Sequence, residues 1–278
     1  MSKDLLRAPA ENSWALGPSP HPTVNGVEWR AAAVRASVPG MMFRALLFAL
    51  AVLTLPLARA ASGEDARRVV VELFTSQGCS SCPPADRLLG EIKDRPGVIA
   101  LSLHIDYWDY IGWEDPYGKA RHTDRQQAYK RELGLDYVYT PQIVVDGRLQ
   151  AVGSRRDAVL ERIAQARSAQ PAVRPRLEDG RALIPAASVE GRARVWLVTF
   201  DAQHSTQVGA GENAGDRLVN HNVVRGWRDL GAYTGARREI ALDLAPARAA
   251  GRSGCALLVQ RAGTGEILGA AMLRFDGS

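Results

Sequence analysis

Residues 76–92 read SQGCSSCPPADRLLGEI. Two cysteines, Cys79 and Cys82, enclose two serines, and Pro83-Pro84 follows at once. Proline is well tolerated in a helix only near its start, where its missing N–H would have had no partner. Beyond the prolines Ala85, Leu88, Leu89 and Ile92 recur at i, i+3, i+4 and i+7, one face of an amphipathic helix. The stretch therefore predicts a helix with a CxxC at its N-terminal mouth. Unpaired backbone N–H groups at such a mouth stabilise a thiolate.

Elements on either side fit a βα unit. VVVELFT (69–75) is apolar and mostly β-branched, as in a buried strand, and a turn at Gly78 follows it. VIALSLH (98–104) predicts a second strand. From Tyr117 to Leu133 the chain is polar and rich in helix formers, and Gly134 closes it. YTPQIVVDGRLQAVG (139–153) predicts a hairpin turning at Asp146-Gly147. Ser154 then precedes a helix striped by Val159, Leu160, Ile163 and Ala166. Strand, helix, strand, helix, hairpin, helix, with CxxC at the first junction, is the element order of the thioredoxin fold, and it predicts an α/β, thioredoxin-like domain over residues 66–170.

Pro171 and Pro175 punctuate the chain, and helical periodicity largely disappears after them. A hairpin of Arg176–Glu178 with Arg181–Ile184, and strands at 194–200, 238–244, 256–261 and 267–275, predict a β-rich, sandwich-like domain over residues 171–278.

The chain has 278 residues and a formal charge of +5. Six of its basic and three of its acidic residues lie in the first sixty positions, so the remainder carries only +2. That balance argues against nucleic acid as a partner. Residues 41–60 have the layout of a secretory signal peptide: one basic residue, an apolar run from Ala45 to Leu57, and Ala58-Arg59-Ala60 before the cleavage point. The run is shorter than the roughly 20 residues of a membrane span. Residues 1–40 read as a disordered, non-native extension ahead of a true start at Met41 or Met42, against the alternative of a signal anchor with a cytoplasmic tail. Export predicts a periplasmic or secreted protein with no membrane attachment after cleavage. In that oxidising compartment paired cysteines are disulfides or exchange catalysts.

In the helix-mouth geometry Cys79 is expected to be the exposed nucleophile and Cys82 the resolving thiol. Haem attachment would need His where Pro83 stands. Structural zinc wants four ligands, and no second CxxC exists. An inert structural disulfide and a copper site formed with His104 stay open, and no cofactor or metal is assigned. Glu72, inside the first strand, is a candidate proton acceptor for the dithiol. The loop LHIDYWDYIGWEDPY (103–117) is a candidate substrate surface or proton relay against the alternative of a packed loop. Cys255 reads as a small buried hydrophobe. GAGENAGD (209–216) and HNVVR (221–225) suggest a turn and a strand edge without chemistry.

ELFTSQGCSSCPPAD, LHIDYWDYIGWEDP, YTPQIVVDG, GENAGD and NVVR together resemble an uncharacterised bacterial secreted family, domain of unknown function 1223, of the thioredoxin-like superfamily. The resemblance implies a thioredoxin-like domain with its CxxC at Cys79 and Cys82, and a β-rich C-terminal part. It further implies a cis Thr140-Pro141 bond beside the cysteines, with Thr140 and Pro141 offering backbone to an incoming peptide. The expected function is an exported thiol-disulfide oxidoreductase acting on a protein thiol or disulfide. A redox-inert binding module and a copper-handling protein are the alternatives.

Overall fold

A computed structural model describes residues 67–262 and 265–275. The expected extension (1–40) and signal peptide (41–60) lie outside the described residues. The described residues form eleven strands and four α-helices; strands and helices alternate in the first half, whereas strands dominate the second. The architecture is mixed α/β, built on one large sheet.

β1 (Val69–Thr75) is buried on both faces because it is central: β2 (Val98–His104) pairs with it in parallel and β3 (Gln142–Val145) antiparallel. Parallel neighbours need a crossover, and α1 (Pro83–Ile92) supplies it. β3 turns into β4 (Leu149–Val152) at Asp146-Gly147, both at positive φ, the conformation that Asp-Gly favours. α2 (Ala120–Glu132) lies between β2 and β3, and α3 (Arg156–Ser168) follows β4.

The second half does not stand apart as a sandwich. β7 (Ala193–Gln207) and β8 (Arg217–Tyr233) form a long hairpin whose β8 adds to the free edge of β2, giving the order β11-β10-β7-β8-β2-β1-β3-β4. β10 (Gly254–Arg261) and β11 (Ile267–Arg274) extend the sheet beyond β7. The expected β-rich C-terminal part is thus present, but its strands continue the sheet that the first half begins. A small second sheet of β5 (Arg176–Glu178), β6 (Arg181–Ile184) and β9 (Arg238–Ala241) accompanies it, and a short α4 (Ala245–Ala249) was not foreseen. The β2–β8 junction has one paired position, Ser102 with Val223. Beside it Asn222 takes positive φ and its amide donates to the Ala100 carbonyl at 2.8 Å, replacing a missing ladder bond. Asn tolerates that backbone region better than other non-glycine residues.

Strand alternation assigns the faces. Val69, Val71 and Leu73 pack with α1 and α3, while Val70 and Phe74 pack against α2 in a core that also contains Val198, Phe200, Ala256 and Leu258 from the second half. A third core joins β7 and β10 to the small sheet. Cys255 is buried in it, and burial raises its thiol pKa to about 12, so it is an inert core residue.

Glu72 belongs to the α2 face and is the first correction to the sequence reading. Arg125 donates to it from Nε at 2.7 Å and from Nη2 at 3.0 Å, and the Tyr129 hydroxyl donates to it as well. It is an internal ion-pair partner turned away from the helix that carries the cysteines, and so it is not placed to take a proton from them.

Candidate functional site

Cys79 and Cys82 are joined as a disulfide, with Cα atoms 5.5 Å apart. Cys82 is the N-cap of α1, Pro83 and Pro84 fill its first positions, and the N–H groups of Ala85 and Asp86 donate to the Cys82 carbonyl. Cys79 sits one turn earlier, its carbonyl accepting from the Cys82 N–H at 3.1 Å. The prolines thus set the pair at the helix mouth as expected. The expected exposure of Cys79 is not observed: Cys79 is 1% exposed and Cys82 fully buried.

The cover comes from three directions. Thr140-Pro141 is cis and adjoins the pair, with the Thr140 hydroxyl donating to Cys79 Sγ at 3.3 Å. That hydroxyl itself accepts from the Trp108 indole N–H at 2.7 Å. Ser81 Oγ lies 3.3 Å from both Cys79 Sγ and the Thr140 carbonyl oxygen. All four residues selected from the sequence therefore meet, and Trp108 joins them.

The third cover is the β7–β8 loop. Glu212 accepts from the backbone N–H of Ser80 at 2.9 Å and from its hydroxyl at 2.7 Å. These bonds hold the Glu212 carboxyl below the usual range. Asn213 donates to the carbonyls of Gln77 and Cys79 at 2.8 and 2.9 Å. Gly211, at positive φ, rests so closely on Ile111 and Trp113 that an added Cβ would lie 3.2 Å from Trp113 Cβ. GENAGD, which had suggested only a turn, is a strap across the CxxC loop. Its acid and amide were legible as residues, but the strand pairing that carries them across the sheet was not.

Beneath the cysteines lies a buried polar cluster. His104 Nδ1 and Asp115 Oδ2 are 2.7 Å apart. Burial depresses the imidazole, but the Asp115 charge and hydrogen bond outweigh it and raise the His104 pKa; Asp115, despite its burial, is lowered by the same partner. Asp115 also accepts from the Gln77 N–H at 2.7 Å, and Gln77 is bonded to Asn220 and Trp113. The 103–117 loop is thus mainly a packed, hydrogen-bonded support, although Tyr110 is 81% exposed, stacked on Trp108. Asp86, in the first turn of α1, completes the cluster. Burial raises its pKa to about 6 against the lowering effects of His104, Thr75 and Asn220. The sequence reading missed it, although a carboxylate inside a helix's apolar stripe is a recognisable signal. Among the described residues no group of three or more His, Cys, Asp or Glu is arranged to hold a metal ion, and Cys79, Cys82 and His104 do not form one.

A family model described as protein of unknown function (DUF1223) matches residues 70–260. No curated protein matches the chain. A crystal structure of protein AGR_C_4864 from Agrobacterium tumefaciens is similar at 31% identity and a TM-score of 0.65, with 77% of this chain and 96% of that one covered. HBP35 of Porphyromonas gingivalis is similar at 14% identity and a TM-score of 0.49, over 77% of this chain and 76% of that one.

Proposed function

We propose that this chain, which belongs to the DUF1223 family, is an exported thiol-disulfide oxidoreductase with a thioredoxin-like first half, acting on a protein thiol or disulfide in the periplasm or outside the cell. One observation carries the reading: a two-residue-spaced disulfide stands at the mouth of α1 with a hydroxyl donor aimed at its outer sulfur. Leaving as a thiolate, Cys79 sulfur would be met by the Thr140 hydroxyl, which the Trp108 indole holds in place. Charge-assisted bonds of this kind are about twice as strong as neutral ones. The thioredoxin-like reading is supported by the β1-α1-β2 crossover, the cis-proline hairpin and their meeting at the cysteines.

In this mechanism an incoming thiolate attacks Cys79 Sγ, a mixed disulfide forms, and Cys82 departs with the electron pair. The test is trapping. Cys82→Ser, in which Cys79 is a free thiol, should accumulate a mixed disulfide with a disulfide-bonded peptide, the peptide's own S–S bond breaking and one of its sulfurs leaving as a thiolate, whereas Cys79→Ser should accumulate none and lose turnover. Full turnover by Cys79→Ser would overturn the assignment.

Burial of both sulfurs favours a second reading, a binding module with a static disulfide. The two part on one measurement: reduction of the native disulfide by a small dithiol within minutes supports exchange, and resistance until the protein is unfolded supports the static bond.

A further inference from the structure

We infer that the second half of the chain carries a binding pocket for a small oxyanion, a carboxylate or phosphate on a short apolar body, between the β7–β8 hairpin and α4. Its existence does not depend on the exchange reading above. A cavity of about 280 Å³ lies there. Pockets for drug-sized ligands run about 300–1,000 Å³, so this one suits a smaller molecule. Thr199 lines it and precedes Gln207, at the end of β7, by eight positions, which sets the cavity about 26 Å along the strand from the strap over the cysteines.

Strand pairing builds the floor. Leu197 stands opposite Arg228 and Thr199 opposite Gly226, so all four share one sheet face. Gly226 is there for space rather than conformation: its φ is not positive, but an added Cβ would lie 2.8 Å from Thr199 Oγ1. A glycine inside a strand often marks a place where a ligand approaches closely. The register also shifts between Thr199 and Phe200, and bulges of this kind recur beside binding sites, where they re-aim a side chain.

Two guanidiniums, Arg228 and Arg252, line the cavity. Only one nitrogen of each is engaged among the described residues: Arg228 Nη1 donates to the Asp243 carbonyl at 3.3 Å, and Arg252 Nη1 to both Asp201 oxygens at 2.8 Å. A guanidinium has five donors, so Nε and Nη2 of both are left for a ligand. Asp201 does not need Arg252 as its counterion, because Arg225 Nη1 already donates to it at 3.1 Å and His204 Nε2 lies 2.7 Å from it. It holds Arg252 in place instead, so little side-chain freedom is lost when a ligand binds. Asp243, the one acid lining the cavity among the described residues, accepts from the Ala245 N–H at 3.0 Å. Arg225, Arg228 and Arg252 against Asp201 and Asp243 leave one positive charge in excess. An oxyanion between Arg228 and Arg252 balances it, and the guanidinium fork matches carboxylate or phosphate oxygens. Leu244, Pro246 and Ala247 supply an apolar wall for the carbons.

The experiment titrates the full chain by calorimetry, in chloride buffer, with butyrate and with butyl phosphate; butanol and inorganic phosphate are the controls that lack the charge or the carbons. At least one of the two anions should bind saturably at one site, about tenfold or more tighter than either control, as one charge-assisted hydrogen bond allows. The tighter of the two tells a carboxylate ligand from a phosphate ester. Arg228→Ala, at an exposed position, should weaken that binding about tenfold. Gly226→Ala, which closes the space over Thr199, and Thr199→Val, which removes the hydroxyl, should weaken it as well. Arg217→Ala, an exposed arginine at the start of β8 and outside the cavity, should leave it unchanged. No saturable binding of either anion would overturn the inference. So would binding that Arg228→Ala leaves unchanged, or that Arg217→Ala weakens to the same extent, and these outcomes decide the matter even if Gly226→Ala folds poorly.

Discussion

Burial makes Asp86 a proton-dependent element of stability. Its carboxyl, ordinarily at 3.8, is raised to about 6 in the fold. A native state that binds the proton more tightly than the unfolded chain is favoured fully below 3.8, and the advantage is lost as pH rises to about 6. The difference corresponds to about 3 kcal/mol. Asp86→Asn should therefore be more stable than the wild type at pH 7 by up to about 3 kcal/mol, with the gap closing toward pH 4, measured by urea unfolding at both pH values. Loss of the Glu72 side chain should destabilise instead. Removing it with Glu72→Ala leaves the Arg125 guanidinium without its carboxylate partner, a loss of about 3–5 kcal/mol for a buried pair. Because Glu72 faces α2, thiol exchange by the protein that remains folded should be unchanged. The two acids illustrate what the sequence could and could not reveal at this scale. Cys79 and Cys82 were legible because a two-residue spacing just before Pro83-Pro84 constrains backbone geometry, whereas Thr140 and Pro141 came from the family resemblance. Which carboxylate accompanies them depends on strand parity: Glu72 lies on the same face as Val70 and Phe74, whereas Asp86 follows Cys82 by one turn of helix.

Among the elements, the β7–β8 hairpin is the one that holds the loop carrying the dithiol from the far half of the chain. Its tip supplies two hydrogen bonds from Asn213 and two to Glu212, and all four hold the residues around the cysteines. With the strap in place Cys79 is 1% exposed, so lifting the strap is expected to widen a thiol's access to it, and local opening is set by the few bonds that resist it. Asn213→Ala removes two bonds from a buried amide, each contributing about 1 kcal/mol, so the open fraction and the rate of disulfide reduction should rise about tenfold or more. An unchanged rate would mean that the strap does not limit access. β1, α1 and β2 were readable because their apolar periods are unbroken. β8 was not: Asn220, Asn222, Gly226 and Gly231 interrupt any two-residue alternation, and its seventeen residues stay extended because β7 pairs along nearly their whole length. HNVVR suggested a strand edge, yet Val223 is an interior position paired to β2.

At the level of the whole molecule the sheet does not respect the division suggested by Pro171 and Pro175. The stretch 66–170 reads as a thioredoxin-like domain because its elements complete a familiar order, but order along the chain says nothing about what covers the free edge of β2. β8 covers it, Asn222 ties it to Ala100, and the α2-side core draws on Phe74 and Leu101 from one half and Phe200 and Leu258 from the other. The site is divided in the same way, since the sulfurs come from the first half and their strap from the second. Cutting after residue 170 would expose that apolar surface to water at about 25 cal/mol per Å² and leave β2 as an unpaired edge. Residues 66–170 made alone should therefore fail to give a cooperative unfolding transition or aggregate. The chain from residue 66 to its end should unfold in one calorimetric transition, with van't Hoff and calorimetric enthalpies equal. Two separated transitions, the first of them leaving the dithiol exchange-competent, would mean that the first half folds alone and that the strap is an accessory to it.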